Sequence, residues 1–355
     1  MREEDIAIIE QYMPPVVNTV ATEMCAEFRV DTRVDANVVR AFHEWAVGKS
    51  FTTIRTLWAN ETFLMFRWRD KRVFVHSDQK RSPLILFARK KFTIVADDVT
   101  ADIRSHLLRV VSELYLRCLA ELGGTKIHGG AYVHKDGAVV VIGPHAAGKT
   151  TLIFAMAQRS GNGFLANDNI VLLHGSHGIV AYPVPMRCRI GVATARRLER
   201  FGPVLNNHLP LYLEQHEDLN KSAAASQPDS TLLFGSKVKL ALTAREIQQL
   251  LGLPHYGPAA VSRVLIPKLH LACSEPRLER LTVDDAIRCL QDNVIELPAN
   301  FRHSHYIRRD IHAEEQDVSL IRKVGANVPV YRLEFGAEYA VNGVVAPSLL
   351  NAVGE

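Results

Sequence analysis

The chain has 355 residues, 47% of them hydrophobic, and a formal net charge of +4. Its length exceeds the usual single-domain range, so two domains, or one with long decorations, are expected. The basic residues are scattered apart from short clusters such as Arg89-Lys90-Lys91, which excludes a nucleic-acid footprint. The opening Met1-Arg2-Glu3-Glu4-Asp5 has no apolar leader, and no run of about eighteen apolar residues follows, so a cytoplasmic protein without a membrane partner is expected. Five cysteines, Cys25, Cys118, Cys188, Cys273 and Cys289, lie far apart without C-x-x-C spacing, which speaks against both a disulfide framework and a zinc site.

Residues 1–100 read as a smaller mixed α+β region, with a helical N-terminus ahead of strands at Thr62–Trp68, Arg72–His76 and Leu84–Phe87. Residues 101–355 read as an α/β core. It begins with a helix over Ala101–Leu122, whose apolar face is traced by residues 107, 111, 114, 118 and 122 and which Gly123-Gly124 closes. This helix is expected to lead into the nucleotide-binding part. Next come a strand over Lys126–His134, a turn at Lys135-Asp136-Gly137, and a wholly apolar strand over Ala138–Ile142. A second hairpin is expected where Phe164-Leu165-Ala166 meets Asn167-Asp168-Asn169 and then Ile170–Leu173. Ser222–Ser230 has the composition of a mobile loop. Further on, a strand is expected over Val261–His270, helices over Val283–Asn293 and Val318–Gly325, and a closing strand over Val328–Phe335.

The chemistry concentrates after Ile142. Gly143-Pro144-His145-Ala146-Ala147-Gly148-Lys149-Thr150 reads G-x-x-x-x-G-K-T, between an apolar strand and a stretch whose Leu152, Ile153, Met156 and Ala157 recur at helical spacing. Strand, loop, helix is the context that a phosphate-binding loop requires. The glycines allow backbone N–H groups to turn inward around phosphate oxygens, and the helix N-terminus adds its partial positive charge. Lys149 reaches the β- and γ-phosphates, Thr150 holds Mg²⁺, and Thr151 completes the nucleotide-binding set 143–151. ATP with Mg²⁺ is the expected cofactor pair.

Such a loop needs a carboxylate for the metal and a group to accept a proton. Asp168 is the candidate, since it follows a short strand and lies in a polar knot between two apolar runs. No L-S-G-G-Q signature is present, and Asn220-Lys221-Ser222-Ala223 lacks the aspartate with which an N-K-x-D motif reads guanine. Cassette ATPases and small GTPases are thereby disfavoured.

His128-Gly129-Gly130-Ala131, the loop at 143–150, and Phe164-Leu165-Ala166-Asn167-Asp168 together resemble the bacterial HPr kinase/phosphorylase family and its relatives. The ending Asn327-Val328-Pro329-Val330-Tyr331-Arg332-Leu333 is similar to the closing strand of related kinases. The resemblance implies a core like that of phosphoenolpyruvate carboxykinase, with ATP on the loop and a hydroxyl acceptor at the γ-phosphate. It implies catalytic roles for Lys149, Asp168 and His128. Where that family has two adjacent acids, this chain has Asn167-Asp168, so the base is Asp168, His128 or His145, or catalysis leans on positioning and charge. Arg187 and Arg189, in Pro185–Gly191, match the family's signature loosely and are candidate contacts to the γ-phosphate or acceptor, with Asn167 beside them.

The reading is therefore a kinase that moves a phosphoryl group from a nucleoside triphosphate to a hydroxyl of a small molecule or peptide, in specialised metabolism. The alternative is a catalytically altered regulatory protein that senses ATP. Self-association into a homo-oligomer is left open, and on this reading Asn167→Asp is expected to be tolerated or activating.

Overall fold

With short interruptions, the computed structural model describes residues 29–98, 103–198, 239–295 and 313–336. It is a mixed α/β structure of strand-rich sheets and few helices. The expected N-terminal helix, Arg187 and the Ser222–Ser230 loop lie outside the described residues. Contacts divide the chain into two compact units, one running to Gly123 and the other from Gly124 to Ile295 and from Glu315 onward.

The first unit is built on strands β1 (Arg29–Val34), β2 (Thr52–Arg55), β3 (Thr62–Trp68), β4 (Lys71–His76), β5 (Leu84–Ala88) and β6 (Lys91–Ala96). They form one sheet in the order β1-β6-β5-β4-β3-β2, antiparallel except for the parallel β1–β6 pair. Helices α1 (Ala36–Ala46) and α2 (Ile103–Glu121) complete it. Asp35 caps α1 by accepting a hydrogen bond from Val38 N at 3.1 Å. Both faces of the sheet are covered. Phe63 and Met65 of β3 pack with Leu107 and Leu114 of α2, while the alternate Phe66 and Trp68 pack with Phe42 of α1. Two buried faces explain why β3 reads as an almost unbroken apolar run. The helix expected to lead into the nucleotide core thus belongs to the N-terminal sheet. The boundary between units falls at Gly123, past the expected residue 100, because the apolar stripe of α2 is spent on that sheet.

The second unit contains β7 (Thr125–His134), β8 (Gly137–Ile142), α3 (Lys149–Ala157), β9 (Gly163–Ala166), β10 (Asn169–Gly175) and β11 (Gly178–Pro183). It continues with β12 (Cys188–Gly191), β13 (Lys239–Leu242), β14 (Ala259–Leu269), β15 (Arg277–Arg280), α4 (Val283–Gln291), α5 (Ala313–Asn327) and β16 (Val330–Phe335). The main sheet runs β11-β10-β7-β8-β14-β16-β15. At its centre, β8 pairs antiparallel with β7 and parallel with β14, which in turn pairs parallel with β16. Side chains alternate between two cores. Val139 and Val141 face Leu152, Ile153 and Met156 of α3, whereas Val140 and Ile142 share a cluster with Ala286 and Leu290 of α4 and Ile321 and Val324 of α5. Burial on both faces fixes the register of β8 and so fixes where its C-terminal end delivers the chain.

The expected β7–β8 hairpin is present, with His134 opposite Gly137. The second expected hairpin is not. Strands β9 and β10 do not pair with each other; both pair with β7, Ala166 opposite Ala131 and Asn169 opposite His128. They run along one edge of β7, interrupted at Asn167-Asp168. There Asn169 N–H bonds back to Asn167 O at 2.9 Å across Asp168, whose φ is +68°. That is a three-residue γ-turn of the rare, strained hand. Asn and Asp suit both kinds of turn, so their presence in the sequence does not distinguish a bulge from a hairpin.

Candidate active site

The loop 143–148 joins the end of β8 to α3, and its backbone handedness alternates over Ala146, Ala147 and Gly148. The φ angles are +146° at Gly143, +63° at Ala146 and +90° at Gly148. Alternation of this kind turns successive N–H groups to one side and makes an anion-binding concavity. Ala146 adopts the left-handed region without being glycine, at a cost of about 1 kcal/mol. Gly148 has a second reason to be glycine, since a Cβ there would lie 3.0 Å from Phe335 Cζ. It is also the N-cap of α3 and supplies no side-chain acceptor, so the first turn of the helix has no side-chain cap there.

Lys149 is buried, and its ammonium donates to the carbonyls of Gly143 at 2.7 Å and Pro144 at 2.9 Å. These bonds fold the side chain back beneath the loop and place a positive charge where the loop amides converge. Pro144, His145 and Ala146 are exposed, Ala147 and Gly143 are buried, and Thr151 is buried in the first turn of α3.

Half-buried Thr150 meets the γ-turn. Its hydroxyl donates to Asn167 Oδ1 at 3.2 Å, and Asn167 Nδ2 donates to Arg189 O of β12 at 3.3 Å. The orientation of this amide follows from chemistry, because a backbone carbonyl only accepts and the Nδ2 side must face it. Asn167 therefore joins α3, the β9–β10 junction and β12. Of the two candidate arginines, the exposed Arg189 brings only its carbonyl to this junction.

The turn fits because β7 carries Gly130 opposite it, next to Gly129, which admits β8. A Cβ on Gly130 would lie 2.5 Å from Ala166 O, 2.5 Å from Ile153 Cδ1 and 2.9 Å from Asn167 Cα. On Gly129 it would lie 2.6 Å from Val141 O of β8. A glycine pair inside a strand is the signature of such close backbone approach.

His128 precedes that pair. Burial and the charge of Lys149 push its imidazole below the usual 6.5, opposed by the Asp168 carboxylate and by a hydrogen bond to the Asp168 backbone; His145 contributes a further small downward push. His128, Lys149, Asp168 and His145 are thus electrostatic neighbours. Buried Cys188 also lies within reach of Asp168. Its thiol is pushed well up by burial first and by that carboxylate second, which leaves it protonated and unreactive.

No protein-family model matches this chain, and no curated protein matches it.

One structural residue escaped the sequence. Asn293, just past α4, accepts from Gly143 N through Oδ1 at 3.0 Å and donates through Nδ2 to Cys289 O at 2.8 Å. Its own carbonyl accepts from His128 N at 2.8 Å. It thereby holds the first amide of the loop and the backbone of His128 in one frame. In the sequence, an asparagine after a helix signals only a helix end.

The oxygen donors at the site are hard, namely the Thr150 hydroxyl and the Asp168 carboxylate. Among the described residues no cluster of three or more His, Cys, Asp or Glu forms an all-protein metal cage. That donor set suits Mg²⁺, which binds through one or two carboxylates and completes its shell with phosphate oxygens and water. Together the region offers a glycine-bearing loop, the Lys149 cation held against it, two hard oxygen donors on adjoining elements and an imidazole with lowered proton affinity.

Proposed function

We propose that this protein is an ATP- and Mg²⁺-dependent phosphotransferase that moves a γ-phosphoryl group to a hydroxyl, on a core related to that of HPr kinase and phosphoenolpyruvate carboxykinase. The observation that carries this reading is the Thr150–Asn167 hydrogen bond. It brings the helix that follows the G-K-T loop against the turn that contains Asp168, which supports assigning Thr150 and Asp168 to the metal.

On this reading the loop amides and Lys149 bind the β- and γ-phosphates. Mg²⁺, when bound, neutralises developing charge on the transferred group. Asn167 is held by its hydrogen bonds to Thr150 and to Arg189 O and carries no basic oxygen, so it orients Thr150 and takes no proton. His128 takes that role. One ring nitrogen is committed to the Asp168 backbone, and an imidazole kept neutral presents its other nitrogen as an acceptor. The acceptor hydroxyl gives its proton to His128, its oxygen bonds to the γ-phosphorus, and the bond to the β-phosphate oxygen breaks to release ADP.

The test is mass-spectrometric. The full chain is incubated with ATP, Mg²⁺ and pooled small-molecule extract, and an acceptor that gains one phosphate is sought. Lys149→Ala should abolish the product, a loss of about a hundredfold or more, while the circular-dichroism spectrum is preserved. Unchanged turnover in that variant would overturn the assignment of the loop.

A further inference from the structure

One face of the N-terminal sheet changes character along its strands. Alternation places Val73 of β4, Leu84 and Leu86 of β5 and Val95 of β6 on the side that packs with Phe42 of α1. The same alternation brings Lys71, Ala88 and Lys91 to that side, and the register of β1 against β6 adds Arg29, Asp31 and Arg33. There the face is charged and concave, a groove of about 450 Å³. Every residue that lines it is among those described. In the sequence its cations are spread from position 29 to position 91, so no basic run announces it.

Four cations stand against one carboxylate. Asp31 accepts from Arg29 Nε at 3.1 Å and from Lys91 Nζ at 2.6 Å, and the register sets Arg29 directly opposite Lys91. The carboxylate thereby offsets a like-charge pair that would otherwise cost the sheet stability. Among the described residues no hydrogen bond or ion pair reaches the side chain of Arg33 or Lys71. A single surface cation needs no explanation. Four of them, drawn from three strands around one concavity, focus the field and concentrate counter-ions there.

The local geometry selects the anion. Lys91 stands opposite Ala88 of β5, and Lys71 lies one residue beyond the Arg72–Phe87 pair, alongside Ala88 on its other side. Two ammonium groups thus flank a side chain of one methyl. An ammonium has three donors, so Lys91 keeps two beyond its bond to Asp31. Next to Ala88 on the same face come Leu86 and its cross-strand partner Thr93, an apolar surface with one hydroxyl. The volume falls within the range of roughly 300–1,000 Å³ found for small-molecule sites.

We propose that this groove binds a small phosphate monoester, its phosphate over Ala88 between Lys71 and Lys91 and its carbon skeleton toward Leu86 and Thr93. Arg29 and Arg33 add to the attracting field. The site lies in the unit that does not carry the G-K-T loop, and the proposal is independent of the phosphotransferase reading.

The experiment follows acylation of Lys71 and Lys91 by an amine-reactive ester in the full chain, at constant ionic strength, with peptide mass spectrometry as the readout. Glycerol 3-phosphate and ribose 5-phosphate are the probes, inorganic phosphate and glycerol the controls, and exposed Lys323 of α5 the internal reference. At least one ester should slow acylation at both lysines and leave Lys323 unchanged. In Lys71→Gln the concentration of that ester needed to protect Lys91 should rise about tenfold or more, and Lys71→Arg should restore it, with melting temperatures unaltered. Protection by neither ester, equal protection by inorganic phosphate or by glycerol, equal slowing at Lys323, or undiminished protection in Lys71→Gln would overturn the inference. Stronger protection by a poly-glutamate peptide would overturn it too, by making the groove a docking face for an acidic protein segment.

Discussion

Thr150 donates its hydroxyl to Asn167 at 3.2 Å, and the same amide donates onward to Arg189 O at 3.3 Å. The second bond is one that a carboxylate cannot make. Asn167→Asp would set an acceptor oxygen against a backbone carbonyl, in a buried place that also adjoins the Cys188 thiol. Read from sequence, this change restores an acidic pair; read from the structure, it breaks a junction. Asn167→Asp should lose about 1–3 kcal/mol of stability by denaturant unfolding at neutral pH and should not gain activity. An activated, equally stable variant would show that the amide is not the tie described.

Asp168 combines a charge with a backbone conformation, φ +68°. Asparagine tolerates that region better than alanine, for which it costs about 1 kcal/mol. Asp168→Asn should therefore keep the melting temperature while reducing Mg²⁺-dependent transfer about a hundredfold or more. Asp168→Ala should lose the same activity and in addition about 1 kcal/mol of stability. A full rate in Asp168→Asn would remove this carboxylate from the metal.

The imidazole of His128 is held below its ordinary 6.5 by burial and by Lys149. The folded state favours the neutral ring, so as pH falls the unfolded chain takes up the proton first. Its contribution to stability is present above 6.5 and is lost at lower pH. As a base it works only when neutral, which places the acid limb of kcat/KM below 6.5. His128→Gln should abolish that limb and slow turnover about a hundredfold, with little change in ATP affinity. A limb at or above the ordinary value, or a variant that mainly loses ATP binding, would contradict the assignment.

Among the described residues, the hydrogen bond that links Asn293 to the loop is the one from Gly143 N, at 3.0 Å. Asn293→Ala removes that bond but keeps the backbone bond to His128. Binding of a fluorescent ATP analogue should weaken about tenfold, the equivalent of about 1.4 kcal/mol, with a smaller effect on the rate at saturation. Unaltered affinity would mean that the loop keeps its shape without this anchor.

Local patterns in the sequence carried the elements well. The apolar runs at Thr62–Trp68 and Ala138–Ile142 are strands, because each is buried on both faces. Gly123 ends its helix as expected, with φ +85°. The closing elements were recognisable but offset by a few residues, as α5 begins at Ala313 and β16 at Val330. The turn at 167–169 was misread for a physical reason. Asn-Asp-Asn encodes the ability to turn, while the partner strand decides whether the chain reverses or bulges, and that partner is β7, about forty residues earlier.

The sequence by itself determined the loop, its flanking strand and helix, and the residue types His128, Lys149, Thr150 and Asp168, because these depend on neighbours within a few positions. Only the tertiary structure decided how they are used. It made Asn167 a structural tie to β12, set Asn293 beneath Gly143, and gave helix α2 to the N-terminal sheet. Each of these depends on contacts between segments distant along the chain, and a hydrogen bond across such a distance leaves no periodicity in the sequence.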